Sequence, residues 1–410
     1  MLRNVIAIAL ASSLVFMVGC GGSGNSSSGS IGSSTNPTVT PAVYTETNAT
    51  TNNAVLAYSR SSNGSLTAIG SDSTGGSGVG LPTYKGALPF PIGGATGAVR
   101  LSPNGNYLYA VDAGSADVAA FSVASNGSLT LIGRYRTDGT SPASITLNRA
   151  GTYLYVLNTG SVSNGNNTPG GITGFSVGAT GALTAIPGSA QPLSSMSDYV
   201  DPSEVEFSPD GSYLAVTEKA TGLIDIYPVI SGVAGAPVSS PAAGSIPFGF
   251  AFSQSGAMVV ANVESLTTPD ASTVSSYTAD ENGTVTVISS QVPDDQGGSC
   301  WLSLTPQTTM GQYAYVSNTL SGSISGYSVG TDGMLTLLTA GGVTAAQPAT
   351  TGPIDNVVTP DGDYLYVLDS NAGASPGTIA GFSVATNGAL TSVSTGVSGL
   401  MPGTIGLASR

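Results

Sequence analysis

Glu204, Asp355 and Trp301 are the residues of this sequence best suited to chemistry, and they must act without histidine, because the 410-residue chain contains none. A Ser-His-Asp triad, a His-ligated zinc and a His general base are therefore excluded. Two carboxylates beside an aromatic platform can orient a sugar, or one can act as a base on water while the other hydrogen-bonds the substrate. The competing reading makes them solvated carboxylates and a ring that plugs a channel. Paired acid–base action also fails if the two carboxyl groups stand more than about 12 Å apart.

Other candidates are weaker. Cys300 has no His to activate it and reads as a small buried hydrophobe. Asp112, Asn158, Glu218, Asn262, Asn318 and Asp369 recur at equivalent places and invite a metal-binding story. Asn and Asp also bond the backbone of a following turn, which explains one per repeat, so no metal is expected there. The stretch PDDQGG at 293–298 offers oxygen ligands that suit calcium but lacks a recognised loop spacing. No cofactor is expected. The chain carries 9 Lys and Arg against 23 Asp and Glu, a net charge of −14. Its scattered basic residues argue against nucleic acid, whose phosphates need clustered cations.

The N-terminus, MLRNVIAIALASSLVFMVGC, has a basic residue at Arg3, an apolar run from 5 to 18 and small residues before Cys20. This is the pattern of an export signal, too short to span a bilayer. Met17-Val18-Gly19-Cys20 resembles a bacterial lipobox, which implies cleavage of residues 1–19 and a lipid on Cys20. With Cys20 acylated, Cys300 has no partner for a disulfide. Residues 20–41 follow as a Gly/Ser-rich tether. The expected location is the cell envelope, anchored to a membrane through Cys20, at the outer membrane, cell surface or periplasm.

The elements that must position these residues are repeats. SPNGNYLYAVD at 102–112 returns as NRAGTYLYVLN at 148–158, SPDGSYLAVTE at 208–218, SQSGAMVVAN at 253–262 and TPDGDYLYVLD at 359–369, with a degenerate copy, MGQYAYVSN, at 310–318. Each reads as a tight turn followed by a strand with two packed faces. A second signature follows each copy, as in VAAFSVASNGSLTLIG at 118–133 and IAGFSVATNGALTSVS at 379–394. Its x-Gly pairs mark a hairpin between two short strands. With the short apolar strand before each turn, four strands A, B, C and D make one unit.

The segment 43–71 supplies B, C and D with no strand A, while PGTIGLAS at 402–409 supplies an A strand after which the chain stops. One unit is therefore shared between the two ends of 42–410, and seven units average about 53 residues, in the range of propeller blades. The expected fold is an all-β, seven-bladed propeller of four-stranded antiparallel blades, closed by its C-terminal strand and monomeric. The SPDGxYLYVxN strand pair and the FSVxxxGxLT hairpin resemble the lactonase family of seven-bladed propellers, which includes 6-phosphogluconolactonase-like proteins, and the related Tyr-Val-Thr-Asn repeat propellers of microbial surfaces.

The resemblance implies hydrolysis of a lactone, an ester. In that family a Pro-Arg-His-like sequence often stands where strand A enters the channel. Here Pro142, Pro202, Pro247, Pro353 and Pro402 remain, but no Arg or His accompanies them. The first residues of the A strands are Thr404, Ala98, Ser144, Glu204, Gly249, Trp301 and Asp355. Of these, Glu204, Trp301, Asp355, Ser144 and Thr404 form the candidate binding set at the channel mouth. The B–C and D–A connections are long and variable, and the face they share is expected to be the working one. The leading expectation is an exported scaffold that binds a glycan, a lactone or a surface protein. The alternative is a lactone hydrolase, on a neutral sugar lactone rather than a phosphorylated one. A structural spacer, with a plugged channel and no site, is the third.

Overall fold

Alternation of buried aromatic and aliphatic residues along each strand B explains the architecture. Tyr107–Asp112, Tyr153–Asn158, Tyr213–Glu218 and Tyr364–Asp369 are buried almost throughout, as strands covered on both faces must be. The computed structural model describes residues 39–80, 96–163, 166–196, 199–265, 267–268, 270–308, 311–347, 352–369 and 376–410. Residues 1–38, where the export signal, the lipidated Cys20 and most of the tether were expected, lie outside the described residues.

The strands form seven antiparallel sheets of four or five strands and one separate two-stranded hairpin. Blade 1 joins both ends of the propeller: Ala42–Glu46 pairs with Ala54–Arg60 on one side and with the C-terminal Ile405–Ser409 on the other. Blades 2 to 7 follow in chain order. Their inner strands are Val99–Leu101, Pro142–Leu147, Pro202–Phe207, Pro247–Phe252, Ser299–Leu304 and Pro353–Val358. The shared first blade leaves no blade at an open end of the ring.

A buried Tyr of strand B joins blade to blade at five of the seven junctions. Tyr44, Tyr109, Tyr155, Tyr315 and Tyr366 donate their hydroxyls to the carbonyls of Gly127, Gly181, Gly232, Gly388 and Gly64, at 2.8 to 3.0 Å. Each acceptor lies in the C–D turn of the next blade, and the Tyr366 bond closes the ring from blade 7 to blade 1. Gly181 shows why the turn residue is glycine: its φ is +80°, and a Cβ there would meet the Tyr107 ring at 2.3 Å. The repeat thus encodes both a blade and its attachment to the next one.

The polar residues that end strand B differ in their partners: Asp112 accepts from the Asn53 amide and the Thr74 hydroxyl of blade 1, and the Asn262 amide donates to Thr273 and Ser275. The Asn318 amide donates to Ser323 and Ser325, and Glu218 accepts from the Ser194 backbone N–H and the Thr221 hydroxyl. In the 293–298 stretch, Asp294 accepts from the Gln296 backbone N–H and the Ser299 hydroxyl.

Candidate functional site

The inner strand of each blade pairs only with strand B, so its other edge faces the central channel with backbone N–H groups that need acceptors. Side chains of the preceding blade supply them. Ser144 Oγ accepts from Val205 N–H at 3.3 Å, Thr146 Oγ1 from Phe207 N–H at 3.1 Å, Glu204 from Phe250 N–H at 2.7 Å and Asp355 from Leu407 N–H at 3.1 Å. The register slips beside the Pro that opens several of these strands, between Pro142 and Ser144, Pro202 and Glu204, and Pro353 and Asn356. Such bulges re-aim the residues that follow.

Below this stitched layer a cavity of about 470 Å³ occupies the channel. Its wall includes Thr96, Gly97 and Arg100 of blade 2, Glu204 and Glu206 of blade 4, Gln254 of blade 5, Ser303 and Gln312 of blade 6, and Asp355 and Asn356 of blade 7. It reaches the A–B turns at Gln254, Pro306 and Pro360, so it opens on the face of the short turns. The long-loop face, where the site was expected, is only partly described, since residues 81–95 and 348–351 of its connections lie outside the described residues. Toward the long-loop end, the channel is filled: Phe248 and Trp301 pack with ring centroids 5.0 Å apart, inside one buried cluster with Cys300, Ile354 and Leu400. Lys219 Nζ sits 4.7 Å from the Phe248 ring centroid and pairs with Asp201 at 3.1 Å.

Of the five channel-mouth candidates, the structure brings Glu204 and Asp355 to the cavity wall. Trp301 is 2% exposed and belongs to the plug, so it offers no platform to a ligand. Ser144 is one of the interblade acceptors, and the buried Thr404 hydroxyl donates to Met401 O at 2.6 Å; neither lines the cavity. Cys300 is fully buried, and burial pushes its thiol up to about 12, which removes it as a nucleophile.

Arg100 organises the charged wall. Its Nη2 donates to Glu204 at 2.9 Å and to Glu206, and its Nε donates to Ile145 O at 3.1 Å. Gly97, at φ +79°, makes room for it, since a Cβ there would meet Arg100 Nε at 2.7 Å. Burial works against the charge of this guanidinium, but Glu206, Glu204 and Asp355 together raise its pKa. Burial raises Glu204 well above the usual carboxylate range, Glu206 adds to the rise, and Arg100 opposes it. Burial raises Glu206 as well, again opposed by Arg100. Asp355 is pushed up to about 7 by burial, with Arg100 and backbone N–H groups pulling the other way.

The sequence reading found no cation at the channel mouth; Arg100 is one, reaching the wall of blade 4 from blade 2. Arg100 and Glu206 each lie two residues after the first residue of an A strand as the sequence places it, Ala98 and Glu204. The period of 2 along a strand puts such pairs on one face, and that was the signal available. Gln312, at the start of strand B in blade 6, carried no signal. It is buried, donates from Nε2 to Thr305 O at 2.6 Å, and leaves its Oε1 without a hydrogen-bond partner.

A family model described as lactonase, 7-bladed beta-propeller, matches residues 81–164. Solved structures agree over nearly the whole chain. The periplasmic gluconolactonase of Pseudomonas aeruginosa aligns with a TM-score of 0.63 and 17% identity, covering 90% of this chain and 98% of that one. A Bacteroides fragilis protein provisionally named a 6-phosphogluconolactonase aligns with a TM-score of 0.60 and 20% identity, over 91% and 98%. The fold is that of the lactonase-type seven-bladed propellers. A Lactobacillus plantarum protein aligns at 0.61 with 19% identity, over 90% and 99%. No curated protein sequence matches the chain. At these identities the lactonase-type likeness describes the scaffold, and chemistry must be argued from the site.

Proposed function

We propose that the protein is an exported, lipid-anchored propeller of the cell envelope that holds a small polyhydroxylated ligand in the channel cavity. The observation that carries this reading is a cavity of about 470 Å³ whose wall gathers the acceptors Glu204, Asp355 and Asn356. Glu206 and Gln254 extend the same acceptor-rich wall. The cavity size lies within the range of small-molecule sites. The pattern at 1–20 supports export and a lipid on Cys20.

A second reading, hydrolysis of a neutral sugar lactone, is favoured by Asp355. With a pKa of about 7, it is partly ionised at neutral pH and lines the cavity close enough to Arg100 for each to shift the other. As a base it would take a proton from water while the water oxygen attacks the lactone carbonyl carbon. The ring C–O bond then breaks, the leaving alkoxide receives the proton, and a hydroxy acid is released. The structural neighbours named as gluconolactonases support the same substrate class. A phosphorylated lactone fits poorly, because the one guanidinium in this cavity is already shared by two carboxylates.

One experiment separates the readings. Full-length protein and Asp355→Asn are mixed with glucono-δ-lactone and with methyl glucoside, following ring opening by acid release and binding by calorimetric titration. Binding of the glucoside without accelerated ring opening supports the ligand-holding reading. Ring opening that rises with pH through about 7 and disappears in Asp355→Asn supports the hydrolase. No binding and no acceleration with either compound overturns the channel cavity as a functional site.

A further inference from the structure

A second cavity of about 450 Å³ adjoins the first, sharing Glu206, Phe252 and Gln254 with it. It is lined by Leu147, Arg149, Phe207 and the A–B turn residues Ser208, Pro209 and Ser253, so it lies on the same short-turn face. The two cavities together make a groove that leads from the channel outward across blades 3 to 5. Arg149 stands in its wall, exposed, and enters none of the ion pairs among the described residues. That contrasts with Arg100, which is committed to Glu204 and Glu206. Phe252, between the two compartments, is held edge-on by Tyr213 and by Phe250, each at 5.8 Å between ring centroids.

We propose that this groove takes an acidic saccharide of at least two rings, with a neutral ring in the channel cavity and a monoanionic uronate in the outer one, its carboxylate paired with Arg149. The inference rests on the channel-cavity reading and names its ligand class. A planar guanidinium matches a carboxylate through two parallel N–H donors. One uncommitted cation beside Glu206, on a protein of net charge −14, favours a single negative charge over a phosphate dianion. The rigid Phe252 ring gives the apolar face of a sugar a surface to rest on at the junction.

The test compares cellobiouronic acid, glucuronic acid linked to glucose, with cellobiose, which differs only in a hydroxymethyl group where the acid has its carboxylate. Affinities are measured by calorimetry on full-length protein in detergent micelles, for wild type, Arg149→Ala, Arg149→Lys and Ala251→Phe. The acid is expected to bind at least tenfold more tightly than cellobiose, and this preference should weaken with added salt. Arg149→Ala should abolish the preference while leaving cellobiose affinity unchanged, and Arg149→Lys should restore part of it. Ala251→Phe, which fills the channel compartment, should weaken both sugars. Equal binding of the two sugars, or a preference that survives Arg149→Ala, overturns the outer subsite alone. Binding of neither sugar, or binding that ignores Ala251→Phe, overturns the channel reading on which it stands.

Discussion

The two ends of the central channel are built from the same seven inner strands yet differ in kind. At the long-loop end Phe248, Trp301, Cys300 and Ile354 pack into a plug. At the short-turn end a cavity is walled by the shared Arg100–Glu204–Glu206 cluster. Loop length and variability pointed to the first end. In this channel the large side chains that close it enter at the long-loop end, where Phe248 and Trp301 pack together.

Replacing Trp301 with Ala tests the plug most severely. Removal of a fully packed indole should cost about 3–5 kcal/mol, read as a shift of the denaturation midpoint. Ala251→Phe, at the open end, should cost far less. Comparable losses from the two would erase the contrast between a packed end and an open one.

Arg100→Met comes next. It leaves Glu204 and Glu206 without their counter-charge, a loss of about 1–3 kcal/mol once the one-third exposure of the Arg100 side chain is allowed for. The two carboxylates can escape by taking up protons, so the loss should be larger at pH 8 than at pH 5 in thermal unfolding. A pH-independent loss would show that Arg100 contributes packing and not charge.

Asp355→Asn is the one change expected to stabilise. Its folded pKa of about 7 lies above the ordinary aspartate value, so the stability tied to its protonated form is full at acid pH and is lost as pH rises through about 7. The Asn variant keeps an acceptor for Leu407 N–H without the ionisation. Its melting temperature should exceed wild type by an amount that grows from pH 4 and levels off above pH 8. The difference should flatten if a cation or ligand neutralises Asp355 in the native protein.

The repeat of Tyr-Leu-Tyr strands, turn glycines and alternating hairpins determined seven blades and their closure through 42–46 and 405–409, because each of those signals acts within a few residues. The same local reading identified Glu204 and Asp355 as residues of the inner strands, and the period of 2 held Arg100 and Glu206 within reach. Which end of the channel is open was decided only in three dimensions. Phe248 and Trp301 come from adjacent blades, Arg100 crosses from blade 2 to blade 4, and Gln312 is left unmatched by a strand that carries no motif at that position. No spacing along the chain encodes a choice made jointly by side chains that meet only when the ring closes.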